Sequence, residues 1–497
     1  MTIADPKSQT PIRVFDSVKA LAFIGDLSMG QPTDHSLRTG WIAARLAQAA
    51  GLNADENATV REASLLRWSG CTGNAAGFAE VFGDDIAIRA KMVENRPGWI
   101  EPLGALGGPA AVLMPLARIH CEVSGEVARL LGLAGPTENT LRHIFEAWDG
   151  SGTPHGVARD AVPMSVYVVA LAGDLEAFGR VYGVERAIAL IRQRADARYP
   201  AHLVDIAVSN APAWLQEIEK MRDVDFDRAL STPAMQQASS AELIADVVDL
   251  KLPWMTGFSR RVAATAAACC ERLALDEAAQ SRVYRAGLLH GIGRAAVPNS
   301  IWNQDTSLPA SAWEKVRLVP YWTARAGKQT GVLAQATELA SYAYERLDGS
   351  GYFRGLSGAA LTLEARVLAA SVAWVALRSR RPWRAELPAD EAAQQLRNEV
   401  ANGRLCSEAV NALLAEGQAF ARSPIIPVKA AQHNVHLTVR EIEVLRAISL
   451  GSSNKEAARE LTLSPSTVRT HVESIFRKLE CSTRAAATLK ASAMGLL

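Results

Sequence analysis

The sequence predicts an all-α protein with two tandem helical bundles followed by a small C-terminal helical module. Three observations support this: alanine and leucine recur at helical spacing, blocks of sequence repeat along the chain, and the C-terminal end divides into short amphipathic helices. The chain has 497 residues, of which 49% are hydrophobic and 21% charged. That length and composition predict two to four packed domains rather than disorder.

The two bundles are predicted from an internal repeat. Three pairs of segments resemble each other: 35–52 and 258–275, 65–70 and 288–293, and 145–152 and 344–351. The members of the first two pairs lie 223 residues apart and those of the third lie 199 apart, so the first copy carries an insertion of 24 residues. It falls between positions 70 and 120, where "ENRPGWIEPLGALGGPA" is rich in glycine and proline. Constant offsets of this kind indicate a duplication.

Breaks in composition set the domain boundaries. Residues 221–242 are charged and then polar, and prolines interrupt the pattern near 421–434. We therefore predict five regions: a first copy at 12–220, a linker at 221–242, a second copy at 243–420, a linker at 421–433 and the module at 434–497.

Charge, cysteine usage and hydropathy limit the class of protein. The net charge of +1 gives no global attraction to nucleic acid or membrane, so any such contact must be local. The six cysteines show no metal-type spacing and fit reduced thiols. No uncharged apolar run reaches the roughly 18 residues of a membrane helix, and the N-terminus shows no secretion signal. We expect a cytoplasmic protein with no membrane contact.

The second copy carries two motifs of a known family. "LDGSGYFRGLSG" at 347–358 contains a Gly-Tyr pair, and "ARVLAASVAWVALRSRRPWR" at 365–384 ends in an Arg-Pro-aromatic-Arg turn. Over about residues 250–410 the copy resembles the HD-GYP domain, a subclass of the HD metal-dependent phosphohydrolases. The resemblance implies a helical bundle that hydrolyses cyclic di-GMP at a two- or three-metal centre. Such a centre needs clustered histidines and carboxylates, because each divalent ion requires several nitrogen or oxygen ligands.

The resemblance also implies eight metal-ligand positions in each copy. In the second copy they fall on Trp254, Phe258, His290, Gly291, Val319, Ala343, Tyr344 and Val372. In the first copy they fall on Gln31, His35, Arg67, Trp68, His120, Ile144, Phe145 and Leu171, with Asp174 near the last. Only His290 in one copy, and His35 and His120 in the other, retain the family residue. We therefore predict two degenerate phosphohydrolase domains with no catalytic residues, metal or cofactor, whose former metal cavity is packed by apolar side chains.

The retained residues allow more than one interpretation. His290 fits a buried core histidine better than a ligand. His35 and His120 could hold a single metal ion with His143 nearby, or could each be satisfied in the core. Arg381 and Arg384 could bind a phosphate, or could belong to a salt-bridged turn. Glu345 and Asp348 fit a role in holding their loop, beside glycines that permit its backbone.

The C-terminal segment carries the longest motif series of the chain, "LTVREIEVLRAISLGSSNKEAARELTLSPSTVRTHVESIFRKLECSTRAAATLKASAMGLL". The pattern predicts helices near 438–449 and 453–460, with Gly451 after the first. A third helix starts with Ser464 as N-cap and Pro465 at its first position. Its predicted buried stripe consists of Val468, Val472, Ile475, Phe476 and Leu479. Over its whole length the segment resembles the LuxR-type (GerE) helix-turn-helix DNA-binding domain.

The resemblance implies that the third helix enters the major groove of DNA. The predicted DNA-binding residues are Asn454, Lys455, Ser466, Thr467, Arg469, Thr470, His471 and Lys478. Residues 434–497 hold three lysines and six arginines against six glutamates, a net charge of +3 that is modestly favourable for phosphate contacts. Ordinary solvated charges on a small helical module are the alternative.

Together these features predict a transcriptional regulator that binds double-stranded DNA as a homodimer. The degenerate copies would act as a sensory or dimerisation module, with a small-molecule effector such as a cyclic dinucleotide. The alternative is a metal-dependent phosphohydrolase, acting on cyclic di-GMP or another phosphoester, that carries a DNA-binding domain.

Overall fold

A computed structural model describes residues 12–415 and 436–497. The predicted all-α class is confirmed: the strands among these residues are β1 (Ile12–Arg13) and β2 (Ala238–Ser239), which pair with each other. The predicted linker at 421–433 and the end of the second copy at 416–420 lie outside the described residues. Within the described ranges, the longer helices are too polar, and the apolar ones too short, to cross a bilayer.

The first part of the chain forms eleven α-helices among its described residues. They are α1 (Val14–Ser28), α2 (His35–Ala49), α3 (Ala54–Leu66), α4 (Ala75–Phe82), α5 (Asp85–Val93), α6 (Pro109–Leu130), α7 (Gly135–Arg142), α8 (Met164–Tyr182), α9 (Val184–Arg192), α10 (Ala201–Ile218) and α11 (Asp223–Leu230). Helices α4 and α5 lie in the extra segment of the first copy, which also contains a 3₁₀ helix at Glu101–Leu106.

The second part continues with α12 (Glu242–Asp249), α13 (Phe258–Arg272), α14 (Glu277–Leu289), α15 (Asn299–Trp302), α16 (Ala310–Arg317), α17 (Val319–Thr330), α18 (Ala334–Ala340), α19 (Leu363–Leu377), α20 (Ala389–Ala401) and α21 (Ser407–Leu414). The C-terminal module consists of α22 (Val439–Ser449), α23 (Asn454–Glu460), α24 (Pro465–Lys478) and α25 (Arg484–Ala493).

Equivalent helices of the two copies begin at equivalent positions. The starts of α2 and α13 differ by the offset of 223, and so do those of α3 and α14, whereas the starts of α8 and α19 differ by the offset of 199. In the first copy α2 packs on α3 and α8, and in the second α13 packs on α14 and α19. The offsets found in the sequence therefore correspond to a repeated helical unit, whose core lies between these three helices.

The described residues divide into two contact units. One unit contains residues 13–238 and 476–490; the other contains Ile12 and residues 239–415, 436–475 and 491–497. The segment expected to link the copies, 221–242, is structured, because α11 buries Phe226 and Leu230. The hydroxyl of Thr232 in the same segment donates to Glu62 Oε1 at 2.6 Å. An apolar pair and a buried hydrogen bond thus hold a stretch whose composition alone is typical of a linker.

Candidate functional site

The centre of the second copy contains a buried histidine and a buried arginine. His290 follows the last residue of α14 and is fully buried, and Arg294 is 3% exposed. Nδ1 of His290 lies 2.6 Å from the carbonyl of Gly287, and its Nε2 lies 2.6 Å from Nη2 of Arg294. Burial, followed by the positive charge of Arg294, lowers the pKa of His290 well below its ordinary value. The imidazole is therefore a neutral acceptor for the guanidinium.

A buried carboxylate lies beside this pair. Asp249, at the end of α12, accepts hydrogen bonds from the Ser259 backbone N–H and hydroxyl, both at 2.8 Å. Its Oδ1 also lies 3.3 Å from Nη1 of Arg294. Burial raises the pKa of Asp249 to about 6, although Arg294 and Ser259 act in the opposite direction. The carboxylate thus joins the start of α13 to the buried guanidinium.

The first copy repeats this carboxylate at the same offset. Asp26 in α1 accepts the Ser36 backbone N–H at 3.0 Å and the Ser36 hydroxyl at 2.6 Å. Burial raises the pKa of Asp26 to about 7, against the charge of His35 and the Ser36 hydrogen bonds. The sequence motifs singled out neither aspartate. Because Asp26 and Ser36 precede Asp249 and Ser259 by the repeat offset of 223, an alignment of the repeats would have found them.

The other ligand positions implied in the second copy are mostly buried and apolar. Phe258, Val319, Ala343 and Val372 all have buried side chains. Tyr344 is half-buried and stacks on Tyr352, with ring centroids 5.3 Å apart. The rings of Phe258 and Tyr344 both lie near His290, with centroids 5.8 and 6.4 Å from that of the imidazole.

The centre of the first copy is built around Arg67, which is 4% exposed. Its guanidinium carbon lies 4.1 Å from the ring centroid of Trp68, and its Nη1 is buried without a hydrogen-bond partner among the described residues. Burial lowers the pKa of Arg67 to about 10, while the nearby charge of Asp174 acts in the opposite direction. Asp174 itself is bound by Arg194, Arg198 and Tyr199.

One sequence assignment in the first copy is wrong. The motif comparison assigns Leu171 to the last ligand position, equivalent to Val372. Because the starts of α8 and α19 differ by the offset of 199, the residue equivalent to Val372 is Gly173. A Cβ on Gly173 would lie 1.5 Å from Nη1 of Arg67, so the guanidinium occupies the space that a side chain would need. The offset of 199 between 145–152 and 344–351, extended to this helix, leads to the same residue.

The three histidines proposed for a single metal ion have separate partners. His35 Nδ1 lies 2.5 Å from Glu176 Oε2, and His120 Nε2 lies 2.8 Å from the carbonyl of Arg67. Burial lowers the pKa of His120 to about 3. His143 Nδ1 lies 2.9 Å from the carbonyl of Asn139. Across residues 12–415 and 436–497, no group of three or more His, Cys, Asp or Glu side chains is placed to hold a metal ion.

The two arginines proposed for phosphate binding differ in their contacts. Arg384 donates to the carbonyls of Ala376, Leu377 and Ala385, so it caps the C-terminus of α19. Arg381 lies between two rings, with its guanidinium carbon 4.9 Å from the Trp254 centroid and 4.8 Å from the Phe258 centroid. Burial, then the charge of Arg294, lowers the pKa of Arg381 to about 9. Arg381 therefore remains as the candidate for binding an anion.

The loop role expected for Glu345 and Asp348 is confirmed. Glu345 accepts the backbone N–H groups of Arg354 at 2.8 Å and Leu356 at 3.1 Å, and Asp348 accepts that of Ser350 at 2.9 Å. In the first copy Glu146, which precedes Glu345 by the offset of 199, accepts the N–H of His155 at 2.8 Å. Both copies thus hold the Gly-rich loop by a buried glutamate.

The C-terminal module has the predicted helix-turn-helix. Thr438 and Ser453 cap α22 and α23, each in a capping box with a glutamate at the third position of its helix. Gly451 has a φ of +93°, as expected for a residue that ends a helix. Ser464 Oγ accepts the N–H of Thr467 at 3.0 Å and so caps α24. Sequence-local signals at caps and turns thus determine the three helix starts.

The predicted DNA-facing residues of α24 lie on its exposed side. Ser466, Thr467, Arg469 and Thr470 are exposed, and His471 and Lys478 are partly exposed. Nε of Arg469 lies 2.9 Å from Glu473 Oε1, in an ion pair that remains open to solvent. In α23, Lys455 is exposed and Asn454 half-buried. On the opposite side, Val468, Val472, Ile475 and Leu479 are buried, while Phe476 is only partly buried.

Each end of the module also contacts a helical copy within its own contact unit. The Ser482 N–H and hydroxyl donate to the carboxylate of Glu122 on α6, at 2.5 and 3.1 Å. The Lys490 ammonium lies 3.4 Å from Glu126, one turn further along α6. In the other unit, the Thr256 hydroxyl donates to the Ser449 carbonyl at 2.7 Å. These contacts are long-range in sequence, and no local motif indicates them.

Comparison with known proteins identifies two domains. Residues 242–406 match the model of the HD domain, and residues 435–491 match that of the bacterial regulatory proteins of the luxR family. The chain therefore carries an HD domain followed by a LuxR-type domain. This result confirms both predicted resemblances at the level of these families.

The relatives fall into two groups. A 3'3'-cGAMP-specific phosphodiesterase 3 of Vibrio cholerae is 26% identical over 401 residues, which cover 74% of this chain and 86% of that protein. A probable transcriptional regulatory protein NarL of Mycobacterium tuberculosis is 43% identical over 75 residues, or 15% of this chain and 31% of that protein.

A solved structure shares the fold of the helical copies. The crystal structure of a cyclic GMP-AMP specific phosphodiesterase of V. cholerae superimposes with a TM-score of 0.57 and 23% identity. The match covers 81% of this chain and 97% of that one. At this identity the likeness concerns the fold alone.

Proposed function

We propose that this chain is a DNA-binding transcriptional regulator that acts as a homodimer, and that its two HD-type copies serve as a sensory or dimerisation region. The observation that supports DNA binding is the geometry of α24. Its exposed N-terminal half presents hydroxyl, guanidinium and imidazole groups, while its opposite face is packed into the module. A helix of this kind offers hydrogen-bond donors to base edges and phosphates in the major groove.

Selection of bound fragments from genomic DNA by the full-length protein tests this proposal. We expect a discrete set of sites, and we expect Arg469→Ala to weaken binding at all of them by about tenfold or more. Arg222→Ala is the matched control, because Arg222 is equally exposed and forms a similar helical ion pair, with Asp225 at 3.2 Å. Equal binding by the two variants would contradict the assignment of α24.

We further propose that neither HD-type copy is a catalytic centre. The residues at the implied ligand positions do not fit a two-metal site, since His290 is bound by an arginine and neither copy keeps more than two of the eight implied ligand residues. Most of the remaining positions in the second copy are filled by buried apolar groups. A metal-dependent phosphodiesterase is the second candidate function, favoured by the cGAMP-specific relative that spans most of this chain.

Metal content separates the two candidates. For a regulator without catalysis we expect less than about 0.1 iron or manganese per chain in the purified protein, and no hydrolysis of 3'3'-cGAMP or cyclic di-GMP after addition of either metal. Stoichiometric metal, together with hydrolysis that a chelator abolishes, would establish the enzyme instead.

The effector is proposed to be an anionic small molecule such as a cyclic dinucleotide. Arg381 supports this proposal, because its guanidinium lies between two aromatic rings and forms no hydrogen bond with the described residues. A phosphate group would provide this guanidinium with charged acceptors, which strengthen its hydrogen bonds. Binding would favour one packing of the helical copies and thereby change DNA affinity.

Calorimetry with cyclic dinucleotides tests the effector proposal. We expect binding by the wild-type protein to be lost in Arg381→Ala and kept in Arg282→Ala, which removes a surface arginine of the same copy. If DNA affinity were unchanged by every dinucleotide that binds, the proposed coupling between the effector and the module would be wrong.

The regulator is also proposed to be cytoplasmic, since five of its six free cysteines are buried thiols and the sixth is partly buried.

A further inference from the structure

We propose that a buried guanidinium group takes the place of a divalent ion at the centre of each HD-type copy, Arg67 in the first copy and Arg294 in the second. This inference rests on the proposed function, in which neither copy holds a catalytic metal. It goes further, because it assigns the central positive charge to a side chain of the protein itself.

In the second copy the guanidinium lies where a ligand side chain is missing. Gly291 stands at a position for which the resemblance implies a carboxylate. A Cβ at Gly291 would lie 2.6 Å from Nη1 of Arg294, so a larger residue would displace the guanidinium. The same Nη1 is 3.3 Å from Asp249 Oδ1. Glycine at 291 therefore provides the space in which Arg294 reaches the buried carboxylate.

The orientation of His290 supports the same conclusion. Its Nδ1 donates to the Gly287 carbonyl, an assignment made from the hydrogen-bond network, which leaves Nε2 as an acceptor. A metal-binding histidine has this arrangement, with one ring nitrogen donating to a carbonyl and the other binding the ion. Here the second nitrogen accepts from Nη2 of Arg294 at 2.6 Å. The guanidinium thus lies in the direction from which an ion would bind.

The first copy reaches a similar arrangement from different residues. Arg67 replaces the histidine equivalent to His290, and its guanidinium lies against Gly173, the corrected last ligand position. A ligand position occupied by glycine and covered by a guanidinium therefore occurs in both copies. The two arginines are not equivalent in sequence, since the offset of 223 relates Arg294 to Cys71. A shared ancestral arginine does not explain the coincidence.

The charges of the second centre disfavour a divalent ion. Asp249 is the carboxylate that contacts Arg294, because the neighbouring Asp246 is bound by Arg260 at 2.6 Å. A divalent ion requires several anionic or neutral ligands, and this centre already contains a second guanidinium, that of Arg381, 4.8 Å from the Phe258 ring centroid. The guanidinium of Arg294 is also 5.1 Å from the Phe258 ring centroid, a contact that suits its flat, weakly hydrated surface. Such a cation is covalently attached, so a chelator has nothing to remove.

Thermal unfolding of the full-length protein tests the inference. We expect the Tm of the wild type to be unchanged by EDTA or by added Mn²⁺. Arg294→Gln should lower Tm by about 10 °C, because it leaves Asp249 buried without its cation. Arg282→Gln is the matched control, since Arg282 pairs with Glu364 at 2.6 Å with its side chain 40% exposed, and should change Tm by less than about 2 °C.

Two further variants separate a missing cation from a general loss of packing. Adding Asp249→Asn to Arg294→Gln should restore part of the lost Tm, and should restore folded protein if the single variant fails to fold. Arg294→Ala should gain Tm on addition of millimolar methylguanidinium, whereas Arg282→Ala should not. Absence of both rescues, or an Arg294→Gln variant as stable as the control, would overturn this inference alone. Stoichiometric metal in the wild type would overturn the proposed function as well.

Discussion

The two HD-type copies keep the same carboxylate and serine but use different cations. Asp26 with Ser36, and Asp249 with Ser259, join the equivalent helices α2 and α13 to the preceding chain through the same pair of hydrogen bonds. In the second copy the carboxylate contacts Arg294 directly. In the first copy burial raises the pKa of Asp26, and the charge of His35 and the Ser36 hydrogen bonds act in the opposite direction. After duplication the helix-joining carboxylate persisted, while the groups around it diverged.

The first copy also contains a polar network whose central residues are replaced by apolar ones in the second copy. Glu176 is buried and contacts His35, Arg38 and Arg180. By the offsets of 199 and 223, its counterparts in the second copy are Val375 for Glu176 and Phe258 for His35. The second copy thus has apolar residues at positions where the first copy has a buried charge network. The same fold accommodates both kinds of side chain at these positions.

The largest effect should come from removing the shared carboxylates. Asp249→Ala should destabilise the protein by about 3–5 kcal/mol, because it leaves the buried Arg294 without its counter-charge. Asp26→Ala should cost less, about 1–3 kcal/mol, since it mainly removes the Ser36 hydrogen bonds. Denaturant unfolding of each variant measures the difference. Equal losses would mean that Arg294 and Asp249 are not coupled.

An intermediate effect should follow from converting the network of the first copy into that of the second. His35→Phe alone should cost about 2–3 kcal/mol, because buried Glu176 loses a partner. The double variant His35→Phe with Glu176→Val should recover at least half of that loss, since it restores an apolar pair found in the other copy. A double-mutant cycle by denaturant unfolding measures the recovery, and simple additivity would contradict the equivalence.

A smaller effect should appear in the pH dependence of stability. Because burial raises the folded-state pKa of Asp26 to about 7, its contribution is fully present below the unfolded value near 3.8 and is lost as pH rises through 7. Asp26→Asn cannot ionise, so its Tm relative to wild type should rise by about 5 °C between pH 5 and pH 8. Asp205→Asn, at an exposed position on α10, is the control and should show no such trend.

The smallest effect is expected at the solvent-exposed edge of the same network. Arg180→Gln should cost about 1 kcal/mol or less, because the Arg180 side chain is 25% exposed and Glu176 keeps His35 and Arg38. Denaturant unfolding measures it against His35→Phe. If Arg180→Gln lowered the free energy of unfolding as much as His35→Phe, the partly exposed arginine would contribute as much to stability as the buried histidine.

The fold could be predicted from the sequence where its signals are local or repeated. Helix caps at Thr438, Ser453 and Ser464 determine the module, and two constant offsets identify the duplication. The centres of the copies could be predicted only in part, because their partners are distant in sequence. Arg294 contacts Asp249, which lies on a different helix, and Arg67 contacts Gly173, which is still further away in the sequence. Periodicity carries no information on such pairings.

The contact between α6 and the end of the module has a consequence for assembly. While the backbone and hydroxyl of Ser482 are bound to Glu122, and the ammonium of Lys490 lies by Glu126, those groups are unable to face another subunit. If two molecules pair through the start of α25, Ser482 must first lose its hydrogen bonds to Glu122 of its own chain before it can bind the other subunit. Subunit association and release from α6 would then be competing events, governed by protein concentration.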